Sequence, residues 1–234
     1  MKRIVMPTTG AGDWARSLAQ PKVHWKKGAS AMSLAVSWES AAPNFPREVA
    51  AALSVAGDSS LADLTIVIAI PEFKVALPGG SRASQTDLMV LARNDRGTVA
   101  IAVEGKVEEA FGPTVGEKRR ESSEGQAERL AYLERKLGLT MPCDDGIRYQ
   151  LLHRAASALL FAEEVHAGAA VLVVHSFSQQ GSWFGDFEVF AGVLGATAVK
   201  EAVVRASAPT SVPLYLGWVT GERPFAEVDI PRIQ

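Results

Sequence analysis

Residues 86–107 read TDLMVLARNDRGTVAIAVEGKV. An apolar run over 88–92 gives way to polar Asn94-Asp95-Arg96-Gly97, and a second apolar run follows over 98–103. Turn-forming residues between two strand-like runs of similar length specify a β-hairpin. Asp87 opens the first strand, and Glu104-Gly105-Lys106 closes the second. Two carboxylates and a lysine therefore meet at the open end of the hairpin. Successive side chains on a strand alternate, so Glu104 and Lys106 share one face.

Working outward, residues 30–39 and 46–56 carry the spacing of helices with one buried face. Pro46 suits an early helical position and Gly57 an exit. Residues 64–70 (LTIVIAI) are β-branched and apolar, as a buried strand is. Pro71 interrupts that pattern, and residues 73–77 form a separate short strand. Residues 78–81 and 111–125 are loops. Helices follow over 124–137, ended by Gly138, and over 147–165, where apolar residues form a continuous stripe. A buried strand at 169–174, a helix at 186–206 and a last strand at 212–219 complete the chain. The order predicts an α/β fold, a central mixed β-sheet flanked by α-helices. Gly and Pro act as punctuation rather than as linkers. The expected organisation is therefore one domain over 1–234, with N-terminal helices in 1–60, the motif-bearing core in 61–176 and a C-terminal helix and strand in 177–234.

Composition narrows the function classes. With 47% hydrophobic residues and a net charge of −2, the chain has the balance of a globular protein, and no global positive field recruits nucleic acid. Binding of that kind needs a local patch, and Lys118-Arg119-Arg120 and Lys26-Lys27 are the tight basic clusters. Cys143 is the one cysteine, which excludes an internal disulfide and a cysteine zinc site. The first ten residues, MKRIVMPTTG, lack a sustained apolar segment, and no run is long enough to span a bilayer. A cytoplasmic location with no membrane partner is the expectation.

The open end of the hairpin carries residue types suited to phosphodiester hydrolysis. Carboxylates hold a hard cation, and a lysine beside them can orient water or stabilise transition-state charge. The same residues also suit an edge strand with a plain Glu–Lys ion pair. A second Asp…Glu-x-Lys spacing, Asp63 followed by Glu72-Phe73-Lys74, competes with the first, but Pro71 interrupts its strand and the gap from Asp63 to Glu72 is short for a hairpin, so Glu72 and Lys74 read rather as lining a strand near the main hairpin.

Asp87, sixteen intervening residues, then Glu104-Gly105-Lys106 resembles the motif of the PD-(D/E)XK nuclease superfamily, with Thr86 in place of the proline. The resemblance extends over about residues 30–176 and implies a restriction endonuclease-like three-layer core. It implies Asp87 and Glu104 as ligands of Mg²⁺ or Mn²⁺, and Lys106 as the catalytic lysine. Many members carry a further acidic ligand on a helix before the strands, and Glu39 matches it; an exposed helix-end carboxylate is the alternative. Some RecB-like members place a glutamine on the crossover helix, and Gln150 resembles it. The tyrosine four positions on in those members is Arg154 here, a residue suited to a phosphate contact. Lys118 and Arg119 are the candidates for the nucleic-acid backbone. By resemblance, then, the chain is a nuclease with nucleic acid as partner, DNA being the first choice, and it can form a homodimer. The alternative is an accessory or binding protein that keeps the fold without the activity. His24, His166 and His175 show no ligand-like spacing to one another, and His153 reads as a ligand, a base or an ordinary partly buried helix residue.

Overall fold

A computed structural model describes residues 7–121 and 123–222. The ends of the expected domain, 1–6 and 223–234, lie outside the described residues, and with them most of the leader reading. Six strands form one sheet: β1 (Thr65–Val75), β2 (Ser84–Asn94), β3 (Gly97–Lys106), β4 (Ala169–Ser176), β5 (Ala202–Arg205) and β6 (Leu214–Thr220), in the order β1-β2-β3-β4-β6-β5. The first three form an antiparallel meander, β3, β4 and β6 run parallel, and β5 closes the edge antiparallel to β6.

The helices are α1 (Pro21–His24), α2 (Ser30–Ala41), α3 (Arg47–Ser54), α4 (Val115–Arg120), α5 (Glu124–Lys136), α6 (Tyr149–Glu164) and α7 (Phe184–Val193), after a 3₁₀ turn at Ala11–Ser17. They cover both faces, giving the expected three-layer α/β architecture. One core joins Leu34, Trp38, Val49 and Leu53 of α2 and α3 to Val90, Ile101 and Val103. The other joins Leu133, Leu151, Ala155 and Leu159 of α5 and α6 to Met89, Ala100 and Ala102. Alternation along β2 and β3 thus sends odd and even positions to different layers. The small side chains of Ala100 and Ala102 let α6 lie close against the strand that carries Glu104. Among the described residues no helix is long and apolar enough to cross a membrane.

Three expectations change in detail. The expected strands over 64–70 and 73–77 merge into the single strand β1, Thr65–Val75, because β1 is the sheet's edge and a proline costs less there, where only one side of the strand is paired. The expected loop at 111–125 contains α4, started by a capping box in which Thr114 accepts from the Glu117 amide and Glu117 reaches back to the Thr114 amide. The expected helix over 186–206 stops at Val193. Gly195 (φ +70°) takes the left-handed conformation, the Ala196 amide closes back on the Ala191 carbonyl at 3.0 Å, and Val203 and Val204 then enter β5.

Candidate active site

The register of the hairpin builds the site. Leu88 pairs with Val103, so the next positions outward place Asp87 across from Glu104. Residues 87, 104 and 106 fall on the sheet face that α6 covers, and Gly105 points the other way. A Cβ at Gly105 would stand 3.3 Å from Leu34 of α2, so the central residue of the Glu-x-Lys triplet is kept small by packing. The Gly105 amide donates to Asp87 Oδ2 at 2.9 Å and fixes that carboxylate at the strand end.

From α6, Gln150 and Arg154 stand one turn apart over the end of β3. Lys106 Nζ donates to Glu104 Oε1 at 2.9 Å and to Gln150 Oε1 at 3.2 Å, while Gln150 Nε2 donates to Glu104 Oε1 at 2.5 Å. Arg154 Nε donates to Glu104 Oε2, and its Nη2 lies 3.7 Å from Asp87 Oδ1. The guanidinium is held from behind: Nη1 donates to Ser84 Oγ at 3.3 Å and to His153 Nδ1 at 3.2 Å. Burial, reinforced by the Arg154 charge, pushes the His153 pKa well down, so the ring is neutral and can accept. Phe111 lies beneath the lysine, its ring centroid 4.9 Å from Nζ, and walls the cleft without filling it.

A third carboxylate joins them. Glu72, from the competing triplet, takes a hydrogen bond from Gln85 Nε2 at 2.6 Å and lines the same cleft, of about 750 Å³. Its triplet partner Lys74 is exposed on β1, so the two Glu-x-Lys segments are not equivalent. Glu72 contributes to the site of Asp87 and Glu104 instead of forming its own. Glu39 does not reach this cleft: its Oε1 accepts from Thr8 Oγ1 at 2.6 Å and Trp14 Nε1 at 2.7 Å. Lys118 lines the cleft. Arg119 is committed to structure, bonding Asp145, the Cys143 carbonyl at 2.8 Å and Glu134 Oε1 at 2.7 Å. Arg154, expected to meet a phosphate, turns its head to the carboxylates. His175 sits on the opposite layer, between Glu48 Oε1 at 2.9 Å and Trp38 Nε1 at 3.3 Å.

Three carboxylates share two cations, and the imbalance shows in their acidities. Burial opposes the Glu104 charge, but Arg154 and then Lys106 outweigh it and hold its pKa down at about 2. Burial, and next the Glu104 charge, push Asp87 up to about 7; burial, and next Asp87, push Glu72 up to about 8. Asp87 Oδ1 has no donor within hydrogen-bond reach among the described residues, Arg154 at 3.7 Å being too far. An excess of carboxylate with a free hard oxygen fits Mg²⁺ or Mn²⁺. No preformed shell stands ready: among the described residues, no three His, Cys, Asp or Glu side chains close on one point. Arg154 supplies the counter-charge between Asp87 and Glu104.

The raised Asp87 pKa makes stability depend on pH. Between about pH 4 and pH 7 the folded chain keeps a proton on Asp87 that the unfolded chain releases, so stability falls as pH rises through that window. Asp87→Asn should be about neutral near pH 4 and stabilising above pH 7, since the amide oxygen still accepts from Gly105. Thermal unfolding of both proteins from pH 4 to 8 checks this; a variant that loses ground as pH rises would show that burial does not govern Asp87.

A family model described as a domain of unknown function (DUF6946) matches residues 7–223. The chain belongs to that family. No curated protein and no solved structure matches it. The match spans β1 to β6 and every residue of the cleft, so in this DUF6946 chain the site lies inside the family's own domain and not in an appended segment.

Proposed function

We propose that this DUF6946 chain is a Mg²⁺- or Mn²⁺-dependent phosphodiester hydrolase acting on nucleic acid. One observation carries the reading: Asp87, Glu104, Lys106 and Gln150, supplied by two strands and a crossover helix, converge on one cleft. Asp87 and Glu104 would hold the cation, with Glu72 beside them. When bound, the cation would neutralise phosphate charge and lower the pKa of a water.

The chain's own groups divide the remaining work. Lys106 has three N–H donors and uses two, on Glu104 and Gln150, leaving one to aim at a water or a phosphate oxygen. Gln150 accepts from the lysine and donates to the glutamate, which fixes both side chains relative to each other. Such preorganised donors act strongest where water is excluded, and Glu104 and Lys106 are 1% and 4% exposed.

The test is direct. Purified protein with Mg²⁺ or Mn²⁺ should cleave single-stranded DNA, duplex DNA or RNA, and Glu104→Gln should not. Wild-type protein that cuts none of them under either metal sinks the proposal. A second reading, an accessory protein with a silent cleft, draws on Arg154, which already neutralises Glu104 from within. Nucleic-acid binding without turnover under either metal would favour it.

A further inference from the structure

A second cavity of about 570 Å³ adjoins the cleft and shares Arg82, Lys118, Arg129 and Tyr149 with it. Its wall is built by a close approach of two segments. The loop after β1 presses Gly79 against α5, where a Cβ on Gly79 would meet the Gly125 carbonyl oxygen at 1.9 Å. Arg129 of α5 then clamps the loop, donating to the Pro78 carbonyl at 2.8 Å and to those of Gly80 and Leu77 at 3.2 and 3.3 Å.

These bonds leave the positive charge intact, because carbonyls do not neutralise it. Among the described residues no ion pair includes Arg82, Lys118 or Arg129. The acid of this cavity, Glu134, is buried and already paired with Arg119. In a chain of net charge −2, three unpaired cations around one opening form a local positive site. Tyr149 lines both cavities beside Arg82, Lys118 and Arg129, and its ring packs tilted against that of His153, centroids 5.3 Å apart.

The geometry points to a binding track for single-stranded nucleic acid, with Arg82, Lys118 and Arg129 on the phosphates and Tyr149 against a base. This assignment rests on the hydrolase reading and names the form of its substrate. Unpaired cations with an aromatic face match how single strands are gripped without sequence readout. The depth of the site separates single strand from duplex. Glu104 and Lys106 are almost fully buried, so a phosphate must thread inward to reach them. A flexible strand can bend in from the track, whereas a duplex holds its phosphates on a stiff rod.

The test measures binding without turnover. Fluorescence anisotropy with a labelled oligothymidylate, and with a duplex of equal length, is run in EDTA on wild type, Arg82→Glu, Lys118→Glu and the double variant. Arg96→Glu, at the far turn of the hairpin, is the control. Wild type should bind the single strand more tightly than the duplex. Each reversal should flatten the plot of log K against log salt by about 0.7, the value for one single-strand phosphate contact. The double variant should lose at least about tenfold in affinity and the control nothing. Equal or tighter duplex binding overturns the proposal, as do unchanged affinities in the double variant or no binding by wild type. Binding with no cleavage under Mg²⁺ or Mn²⁺ supports the track while the hydrolase reading fails. Cleavage that persists unaltered in the double variant overturns the track and leaves the hydrolase reading intact.

Discussion

Lys106→Met should lower the rate of phosphodiester cleavage by about 10²–10³-fold, the usual effect of removing one preorganised donor at a transition state. The methionine keeps the apolar stem over Phe111 and removes only the ammonium. Glu104 retains Arg154 and Gln150 as partners, so the fold should survive. Single-turnover cleavage, with circular dichroism on the same samples, separates chemistry from folding. A Lys106→Met protein that cleaves at the wild-type rate would remove the lysine from the mechanism, whatever the metal does. Lys106→Arg is a useful companion, since a guanidinium cannot reproduce a compact ammonium between Glu104 and Gln150.

Arg154→Met should destabilise the protein by about 3–5 kcal/mol, the cost of leaving a buried charge without its partner. Glu104 would keep only Lys106 as a cation, and Asp87 would lose its nearest one. The pH dependence supplies a second check. In wild type, the depressed Glu104 pKa gives stability that is present above the ordinary carboxylate range near pH 4.5 and is lost as pH falls toward 2. Removing Arg154 abolishes most of that term, so the gap between variant and wild type should be widest near neutrality and narrow on acidification. Adding Glu104→Gln to Arg154→Met should recover part of the loss, because an amide tolerates burial better than an orphaned carboxylate. Chemical denaturation of the four proteins closes a double-mutant cycle. A coupling energy near zero would show that the guanidinium packs in the cleft without neutralising it.

Local pattern and long-range assembly contribute differently to this molecule. The hairpin was legible because strand alternation and turn chemistry are short-range rules: they place Asp87, Glu104 and Lys106 on one face whatever the rest of the chain does. The stripe along α6 likewise put Gln150 and Arg154 on a common side, and the alternation of apolar helices and strands specified the layered α/β fold. Where the local rule was weaker, details shifted. Pro71 reads as a strand break, yet an edge strand carries it. The run from 186 to 206 reads as helix, yet Gly195 ends it and an antiparallel partner, β6, recruits Val203 and Val204.

Side-chain partnership across elements is not a local property. Glu39 has the right type and position for the cleft, but Thr8 and Trp14, far from it in sequence, hold its carboxylate elsewhere. Glu72 reads as part of a rival motif or as lining a strand near the hairpin, and the pairing of β1 on β2 decides for the second and brings it beside Gln85 and toward Asp87. Arg119 belonged to the most basic cluster, and the fold spent it on Glu134 and Asp145, while Arg82 and Arg129, which carry no motif, line the opening with no ion pair among the described residues. The layers and the hairpin that bears the carboxylates and lysine follow from periodicity and turn residues, which are local properties of the chain. Which charges meet, which cancel and which line the opening follow from long-range packing, because those energies depend on distances between residues the chain keeps far apart.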